Sequence, residues 1–341
     1  MNYSRLSPFL KFLPQLSVLA IILFFNFLIF PDFFKIEIAN GRLYGSVIDV
    51  LNRGAPVALL SIGMVLVIAT KGIDLSVGAV MAIAGAVAAT LVQSGYDWPV
   101  ALSGALAVGA LCGIWNGFLV AVLNIQPIVA TLVLMVAGRG IAQLITEGRI
   151  VTFLNEGLFF IGGGVLFGLP MPVFIWVISG ILVTLIIRRT ALGMLIETIG
   201  INQRAGYLAG INSTVLLITV YLVAGVCASI AGVIVAADIK GADANNAGLW
   251  LELDAILAVV IGGTSLFGGR FSIIGALFGA IIIQAINTGI LLSGFPPEFN
   301  LVIKAVIIVL ILIIQSPVIR NLAISIKNVS SKASEIKGKT A

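Results

Sequence analysis

The side chains that most often do chemistry in proteins are scarce in this chain. It contains no histidine, and its two cysteines, Cys112 and Cys227, each lie inside an apolar run without a CxxC pattern. Histidine is the usual general base and the commonest metal ligand, and zinc or redox sites need clustered cysteines. The Walker A pattern GxxxxGK(S/T), which cradles ATP phosphates, is also absent from the sequence. We therefore expect a chain that is not an enzyme and binds no metal, ATP or other cofactor itself.

Asp74 and Ser76 lie where an apolar run is interrupted, between Gly72 and Gly78. Either side chain could cap the helix that restarts there, by accepting hydrogen bonds from its free N–H groups. Alternatively, the interruption is a broken-helix site for a substrate or ion, because an ionisable group near a membrane is costly unless it is used. The sequence leaves both interpretations open.

A similar glycine-rich interruption occurs later in the chain. Gly263, Leu266 and Gly269 repeat the spacing of Gly72, Leu75 and Gly78 at a constant offset of 191 residues (263 − 72 = 191). Each segment lies between two apolar runs on the same expected side of the membrane. This pattern predicts a weak internal two-fold repeat of the parallel kind.

Two other sets of polar residues could contact a solute. Within apolar runs, the residues expected to line a hydrophilic path are Asn116, Thr131, Gln284 and Asn287. Between 237 and 254 the chain is unusually polar, and the residues expected at an outer mouth are Asn245, Asn246, Trp250, Glu252 and Asp254. The alternatives are hydrogen bonds between helices for the first set and, for Trp250, an anchor at the membrane interface.

The segment 188–213 is the one sizeable loop expected on the cytoplasmic side. Ile196, Ile199 and Gln203 fall on nearly one face, with Glu197 and Arg204 nearby, which predicts a short amphipathic helix. Such a helix either docks into a partner or lies passively at the membrane surface.

The elements that must position these residues are membrane-spanning helices. The chain is 60% hydrophobic and 10% charged, with a mean hydropathy of +1.20, which excludes a water-soluble globular protein. About 20 apolar residues are needed to cross a bilayer. The sequence predicts an all-α polytopic membrane protein, a single domain over 1–341, with about ten spans at 12–30, 47–69, 76–92, 98–122, 127–145, 172–187, 214–237, 251–262, 271–292 and 299–316.

Glycine spacing predicts which of these spans pack closely. The fourth span carries Gly109, Gly113 and Gly117, and the ninth carries Gly275 and Gly279, all at four-residue intervals. Small residues at this spacing let helix backbones approach one another in lipid.

The charges predict how the spans are oriented. With both termini in the cytoplasm, including tails 1–11 and 317–341, 12 of the 19 basic residues lie on that side, as the positive-inside rule expects. These are Arg5, Lys11, Lys71, Arg188, Arg189, Arg204, Arg270, Arg320, Lys327, Lys332, Lys337 and Lys339. Because the basic residues flank apolar runs, the net charge of +5 indicates membrane topology rather than nucleic-acid binding.

Several motifs in this order resemble the membrane subunits of ribose-type sugar importers of the ATP-binding-cassette class. The segments that carry the resemblance are 72–78, 115–117, 126–132, 138–140, 200–212 and 253–270. Segments 49–60, 241–254 and 293–298 are similar in particular to permeases of galactofuranose importers. The resemblance implies that the segment from Glu197 through Gly200, Asn202 and Arg204 to Gly210 is a coupling helix that docks on an ATPase.

The resemblance also implies the partners. They are a second permease subunit, ATPase subunits that hold ATP and magnesium, and a periplasmic sugar-binding protein, all at a bacterial inner membrane. We therefore expect an importer permease that moves a neutral monosaccharide by alternating access. The rival hypotheses are a secondary transporter or channel that works without an ATPase, and a non-enzymatic scaffold.

Overall fold

The computed structural model describes residues 12–39 and 41–294, and seven helical positions at 301, 302, 305, 306, 309, 310 and 313. The predicted tails 1–11 and 317–341 lie outside the described residues, and so does most of the tenth predicted span, 299–316. Within the described ranges the α-helices are α1 (Leu13–Ile29), α2 (Ser46–Arg53), α3 (Ala55–Ala69), α4 (Val77–Gln93), α5 (Trp98–Ala121), α6 (Pro127–Ile145), α7 (Glu156–Gly163), α8 (Met171–Arg189), α9 (Leu192–Ile201), α10 (Gln203–Leu208), α11 (Ser213–Asp238), α12 (Leu251–Ile261) and α13 (Ile273–Leu292).

Short antiparallel strand pairs connect some of these helices. Strand β1 (Glu37–Ala39) pairs with β2 (Arg42–Tyr44), with Ile38 opposite Leu43, and a 3-10 helix at Pro31–Phe34 precedes them. Strand β3 (Val151–Thr152) pairs with β6 (Gly241–Ala242), and β4 (Val165–Leu166) pairs with β5 (Leu169–Pro170). The β3–β6 pair ties the segment before α7 to the segment that follows α11.

Eight of the ten predicted spans coincide with one helix to within two residues at either end. Among the described helices, α5, α6, α8, α11 and α13 are long and apolar enough to cross a membrane. Helices α1 and α4 have 17 residues each, and α12 has 11. Since α12 is only about 16 Å long, it is too short to cross a bilayer. The number of ten spans therefore stays a prediction.

The second predicted span, 47–69, is a bent pair of helices, which together are long and apolar enough for one membrane span. It is divided into α2 and α3 at Gly54, with a bend of 42° between them. Pro56 lies in the first turn of α3, and because proline has no N–H it cannot donate to the carbonyl of the preceding turn.

The buried centre of the bundle is formed by α3, α4, α11, α12 and α13, whose apolar side chains share one core. The glycine spacing predicted the close contacts correctly. Gly113 of α5 lies against the backbone of Tyr221 and Leu222 of α11, so a side chain there would collide with it. Gly275 and Gly279 of α13 lie in the same way against Gly262 and Ala258 at the end of α12.

The two glycine-rich interruptions lie side by side. The N–H of Gly269, in the α12–α13 connection, donates to the carbonyl of Ala69 at the end of α3 (2.9 Å). Gly78, at the start of α4, lies against Gly248 and Glu252. Gly248 comes just before α12, and Glu252 lies in its first turn. Because Ser76, Glu252 and Asp254 are at most 5% exposed, the N-termini of α4 and α12 meet inside the bundle.

The segment 188–213 forms two short helices rather than the single amphipathic helix that the sequence predicted. The chain leaves the helical conformation at Asn202, whose side-chain oxygen accepts a hydrogen bond from the Ala205 N–H (3.1 Å) and so caps α10. Ile196 and Ile199 are buried as expected, whereas Gln203, beyond the break, is exposed.

Candidate functional site

A cavity of about 380 Å³ lies where α3 and α12 begin and α2, α11 and α13 end. We call it the Trp250 cavity. Its polar and aromatic lining residues are Asn52, Arg53, Asp238, Trp250, Asp254, Gln284 and Asn287. The cavity therefore brings together two residues predicted for the outer mouth and two predicted for the hydrophilic path.

Local backbone geometry presents Trp250 to this cavity. The residue has a left-handed backbone (φ 66°), which is rare for a bulky side chain and tends to occur at functional positions. Its side chain is 52% exposed, whereas Asp254, one turn into α12, is 5% exposed.

The amides of the cavity have unused hydrogen-bonding capacity. The side-chain oxygens of Asn52 and Asn287 are buried and have no hydrogen-bond partner in the described structure. Within the described ranges, Gln284 donates only a long bond to Thr288 (3.4 Å). Amides, carboxylates and an indole around one cavity can bind a small hydroxylated molecule, because hydroxyl groups both donate and accept hydrogen bonds.

Asn116 and Thr131, the other two residues predicted for the path, lie elsewhere, in the interruption before α4. Asn116 donates to the Ser76 hydroxyl (2.8 Å), which in turn donates to Asp74 (2.6 Å). The Thr131 hydroxyl accepts from the Leu75 N–H (3.2 Å). These side chains hold the interruption in place and do not line the Trp250 cavity.

Asp74 does not cap α4. Its Oδ1 atom accepts from the N–H and the hydroxyl of Ser76, which is itself the residue before the helix, and no side chain caps the first turn of α4. Asp74 is 2% exposed, so the interruption contains a buried carboxyl group.

The remaining residues of the predicted outer mouth lie outside the Trp250 cavity, with Asn245 and Asn246 together at Asp243 and Glu252 apart from them. Glu252 points toward Gly78, and its Oε2 atom is buried without a hydrogen-bond partner in the described structure. Asn245 accepts from Gln143 (2.8 Å), and Asn246 donates to Asp243 (2.7 Å). The Asn246 amide and two backbone N–H groups lower the pKa of Asp243 below its ordinary value, because they stabilise its charged form.

Sequence reasoning missed Arg139 of α6. Its guanidinium donates to the carbonyls of Ala244 (3.0 Å) and Ala247 (2.6 Å), and so holds the polar segment before α12 against α6. An arginine within an apolar helix is itself a signal of function. Asn52 and Arg53 were also missed, because nothing local relates the end of α2 to Trp250, whereas Asp238 lies in the segment 237–254 that the sequence marked as polar.

The predicted coupling segment meets both interruptions at Gly200. A Cβ atom at Gly200 would collide with the Ala69 carbonyl and lie 2.7 Å from the Gly269 nitrogen. The Lys71 ammonium donates to the carbonyl of the next residue, Ile201 (3.0 Å). We call this contact among the ends of α9 and α3 and the α12–α13 connection the Gly200 junction.

The other predicted coupling residues lie around this junction. Glu197 is partly buried and lines a cavity of about 280 Å³ with Arg188 and Ser272. Arg204 on α10 is exposed, and Gly210 has a left-handed backbone (φ 83°) that ends the segment. No cluster of three His, Cys, Asp or Glu residues that could hold a metal occurs in the part of the chain that the structure describes.

Comparison with known proteins identifies the family that the sequence matches. Residues 46–312 match the family described as branched-chain amino acid transport system / permease component. The chain is 60% identical over 304 residues to the galactofuranose transporter permease of Escherichia coli (strain K12), covering 89% of each chain. It is 43% identical to the fructose import permease of Bifidobacterium longum (84% of this chain, 82% of the relative) and 39% identical to the ribose import permease of Escherichia coli (strain K12) (84% and 88%). No solved structure matches the chain.

Proposed function

The chain belongs to the permease component family of the branched-chain amino acid transport type, and from that premise we propose that it forms the membrane path of a galactofuranose importer. It is the non-catalytic permease subunit of an ATP-binding-cassette sugar importer, in which a separate partner hydrolyses ATP. The choice of sugar rests on the 60% identity to the galactofuranose permease.

The single observation that supports a sugar path is the Trp250 cavity. A furanose ring offers hydroxyl groups for Asn52, Asn287 and Asp254 and an apolar edge for the Trp250 ring. Because the amide oxygens of Asn52 and Asn287 have no hydrogen-bond partner in the described structure, a hydroxylated ligand can satisfy them. We place the outer opening of the path at this cavity.

The Gly200 junction supports a role in coupling for the segment Glu197–Gly210. Helix α3 runs from the Trp250 cavity to the junction, about 22 Å away. Helix α12 also begins at the cavity, and the connection that follows it reaches the junction at Gly269. A displacement of α9 by a docked ATPase would therefore move two helices that line the cavity. This arrangement supports alternating access, with the cavity open to the outside in one state.

The proposed assembly follows from the same family. A second permease subunit, two ATPase subunits carrying ATP and magnesium, and a periplasmic sugar-binding protein complete it in a bacterial inner membrane. Both termini of this chain and the segment 188–213 lie in the cytoplasm in this proposal.

The experiment is uptake of labelled galactofuranose by cells that lack this permease and are complemented with variants. We expect Trp250→Ala to lower uptake at least about tenfold, because the sugar loses an apolar surface worth about 1.5 kcal/mol or more. The matched control is Trp115→Ala on α5, since Trp115 is equally exposed (52%) and lies outside the cavity.

Equal uptake by Trp250→Ala and the wild type would show that the Trp250 cavity is not part of the sugar path. Deleting the ATPase genes should abolish uptake. Uptake that persists without them would instead support a secondary transporter or channel.

A further inference from the structure

A second polar cavity, of about 340 Å³, lies at the opposite end of α3. We call it the Tyr221 cavity. Its lining residues are Thr70, Lys71, Gly72, Val120, Asn124, Ile125, Gln126, Pro127, Ile199, Gln203, Leu217 and Tyr221. They come from the end of α3, the α5–α6 connection, α9, α10 and the first third of α11, so the cavity opens on the face that carries the coupling segment.

The lining of this cavity includes a buried hydroxyl group that has no hydrogen-bond partner among the described residues. Tyr221 is 0% exposed, and its hydroxyl makes no hydrogen bond in the described structure. The hydroxyl lies against Gly72, where a Cβ atom would be 2.7 Å from it. A buried hydroxyl left without a partner is costly, and it is satisfied when a ligand or water supplies the hydrogen bond.

The remaining lining indicates the chemical class of the ligand. Asn124, Gln126 and Gln203 supply amides, and Thr70 supplies a hydroxyl. None of the lining residues, all of which the structure describes, is Asp or Glu. Amides and hydroxyls both donate and accept, as sugar hydroxyls do, and the volume lies within the range of small-molecule sites.

The cavity also touches the coupling machinery. Ile199 of α9 and Gln203 of α10 form part of its lining, and Lys71, which also lines it, donates to Ile201 at the Gly200 junction (3.0 Å). A molecule in the cavity is therefore in contact with the coupling segment and with the end of α3 at once.

We propose that the Tyr221 cavity is a second sugar site on the cytoplasmic face, which binds released product and slows further transport. This inference rests on the proposed function, because the ligand is the transported sugar and the coupling segment is its target. Occupancy fixes α9 and α10 against α3, and so opposes the displacement that coupling requires.

The experiment uses the purified permease–ATPase complex in proteoliposomes whose ATPase subunits face outward. Binding protein and labelled galactofuranose are enclosed in the lumen, ATP is added outside, and release of label is timed. Unlabelled galactofuranose added outside then reaches only the cytoplasmic face. We expect it to slow wild-type transport at millimolar concentration, whereas betaine at equal osmolarity does not.

Tyr221→Phe removes only the hydroxyl, so the concentration that halves the rate should rise about three- to tenfold. Gln126→Ala, which changes an exposed side chain, should shift it in the same direction. A wild-type rate that is insensitive to outside sugar, or two variants that are inhibited as strongly as the wild type, would overturn the proposal.

If the proposed function itself is wrong, the result differs from a failure of the second site, because the wild type then releases no label even without sugar outside. In that case calorimetry on the solubilised complex decides the question. Weaker galactofuranose binding by Tyr221→Phe than by the wild type supports the site, and equal binding rejects it.

Discussion

At the scale of single residues, Asp74 has a different role from the one that its position before a helix predicts. Its carboxyl group binds Ser76 rather than the first turn of α4, and Ser76 is bound in turn by Asn116. Asp74 and Ser76 lie between α3 and α4, where the apolar run of the sequence is interrupted. Their spacing could not reveal Asn116 as a partner, because that contact joins residues 40 positions apart.

The first prediction concerns this chain of hydrogen bonds. Asp74→Ala leaves the buried N–H and hydroxyl of Ser76 without their acceptor, and should cost about 1–3 kcal/mol of stability. Asp74→Asn keeps an oxygen in place and should cost less. Thermal unfolding of the detergent-solubilised protein measures both, and a larger loss for Asn than for Ala would contradict the assigned role.

The second prediction concerns Arg204, which is exposed on α10 and free to meet a docked partner. Arg204→Glu reverses a charge in the proposed contact and should cost about 2–5 kcal/mol of binding if the residue is buried in the complex. We expect the variant to insert normally but to lose its ATPase on purification, together with transport.

The control for Arg204 is Arg149→Glu, because Arg149 is also exposed and lies on the segment between α6 and α7, away from α9 and α10. Copurification of the ATPase with Arg204→Glu at the wild-type level, with normal transport, would make the coupling segment a passive surface helix.

At the scale of elements, the third prediction concerns the Gly200 junction. Gly200→Ala places a methyl group against the Ala69 carbonyl, so α9 must separate from α3 and from the α12–α13 connection. Because Gly200 itself is buried and the exposed Arg204 on α10 is unchanged, we expect the ATPase to remain bound. Transport should fall about tenfold, since the altered contact no longer couples α9 to α3. ATP hydrolysis and sugar transport are measured on the same reconstituted sample.

Gly206→Ala on α10 is the matched control, since a Cβ atom there meets only ordinary contacts of 3.5 Å or more. If Gly200→Ala transports as well as Gly206→Ala, the junction does not transmit the movement.

The elements also show where sequence reasoning succeeds. The ends of α5, α6 and α11 were predicted to within one residue, because proline or polar residues bound each apolar run. The meeting of α4 and α12 could not be predicted, since it depends on the contact of Gly78 with Gly248, 170 residues later (248 − 78 = 170). For the same reason Trp250 and Asn287 were found as separate candidates, without the cavity that joins them.

At the scale of the whole molecule, the fourth prediction concerns sidedness. From the distribution of basic residues we expect both termini in the cytoplasm and Asp243 outside. Cys112 and Cys227 are replaced by alanine, and a single cysteine is then introduced at 243 or 335. A reagent added to intact cells should label position 243 and spare position 335, and the reverse pattern would invert the topology.

The meeting of two helix N-termini inside the bundle has an electrostatic consequence. Aligned peptide dipoles give each N-terminus about half a positive elementary charge. Facing each other at Gly78 and Gly248, the N-termini of α4 and α12 would repel in a region without bulk water. Glu252 lies beside both first turns, and Asp254 lies in the first turn of α12. These two carboxyl groups are therefore placed to offset the partial positive charge that the backbone of both helices concentrates at their first turns.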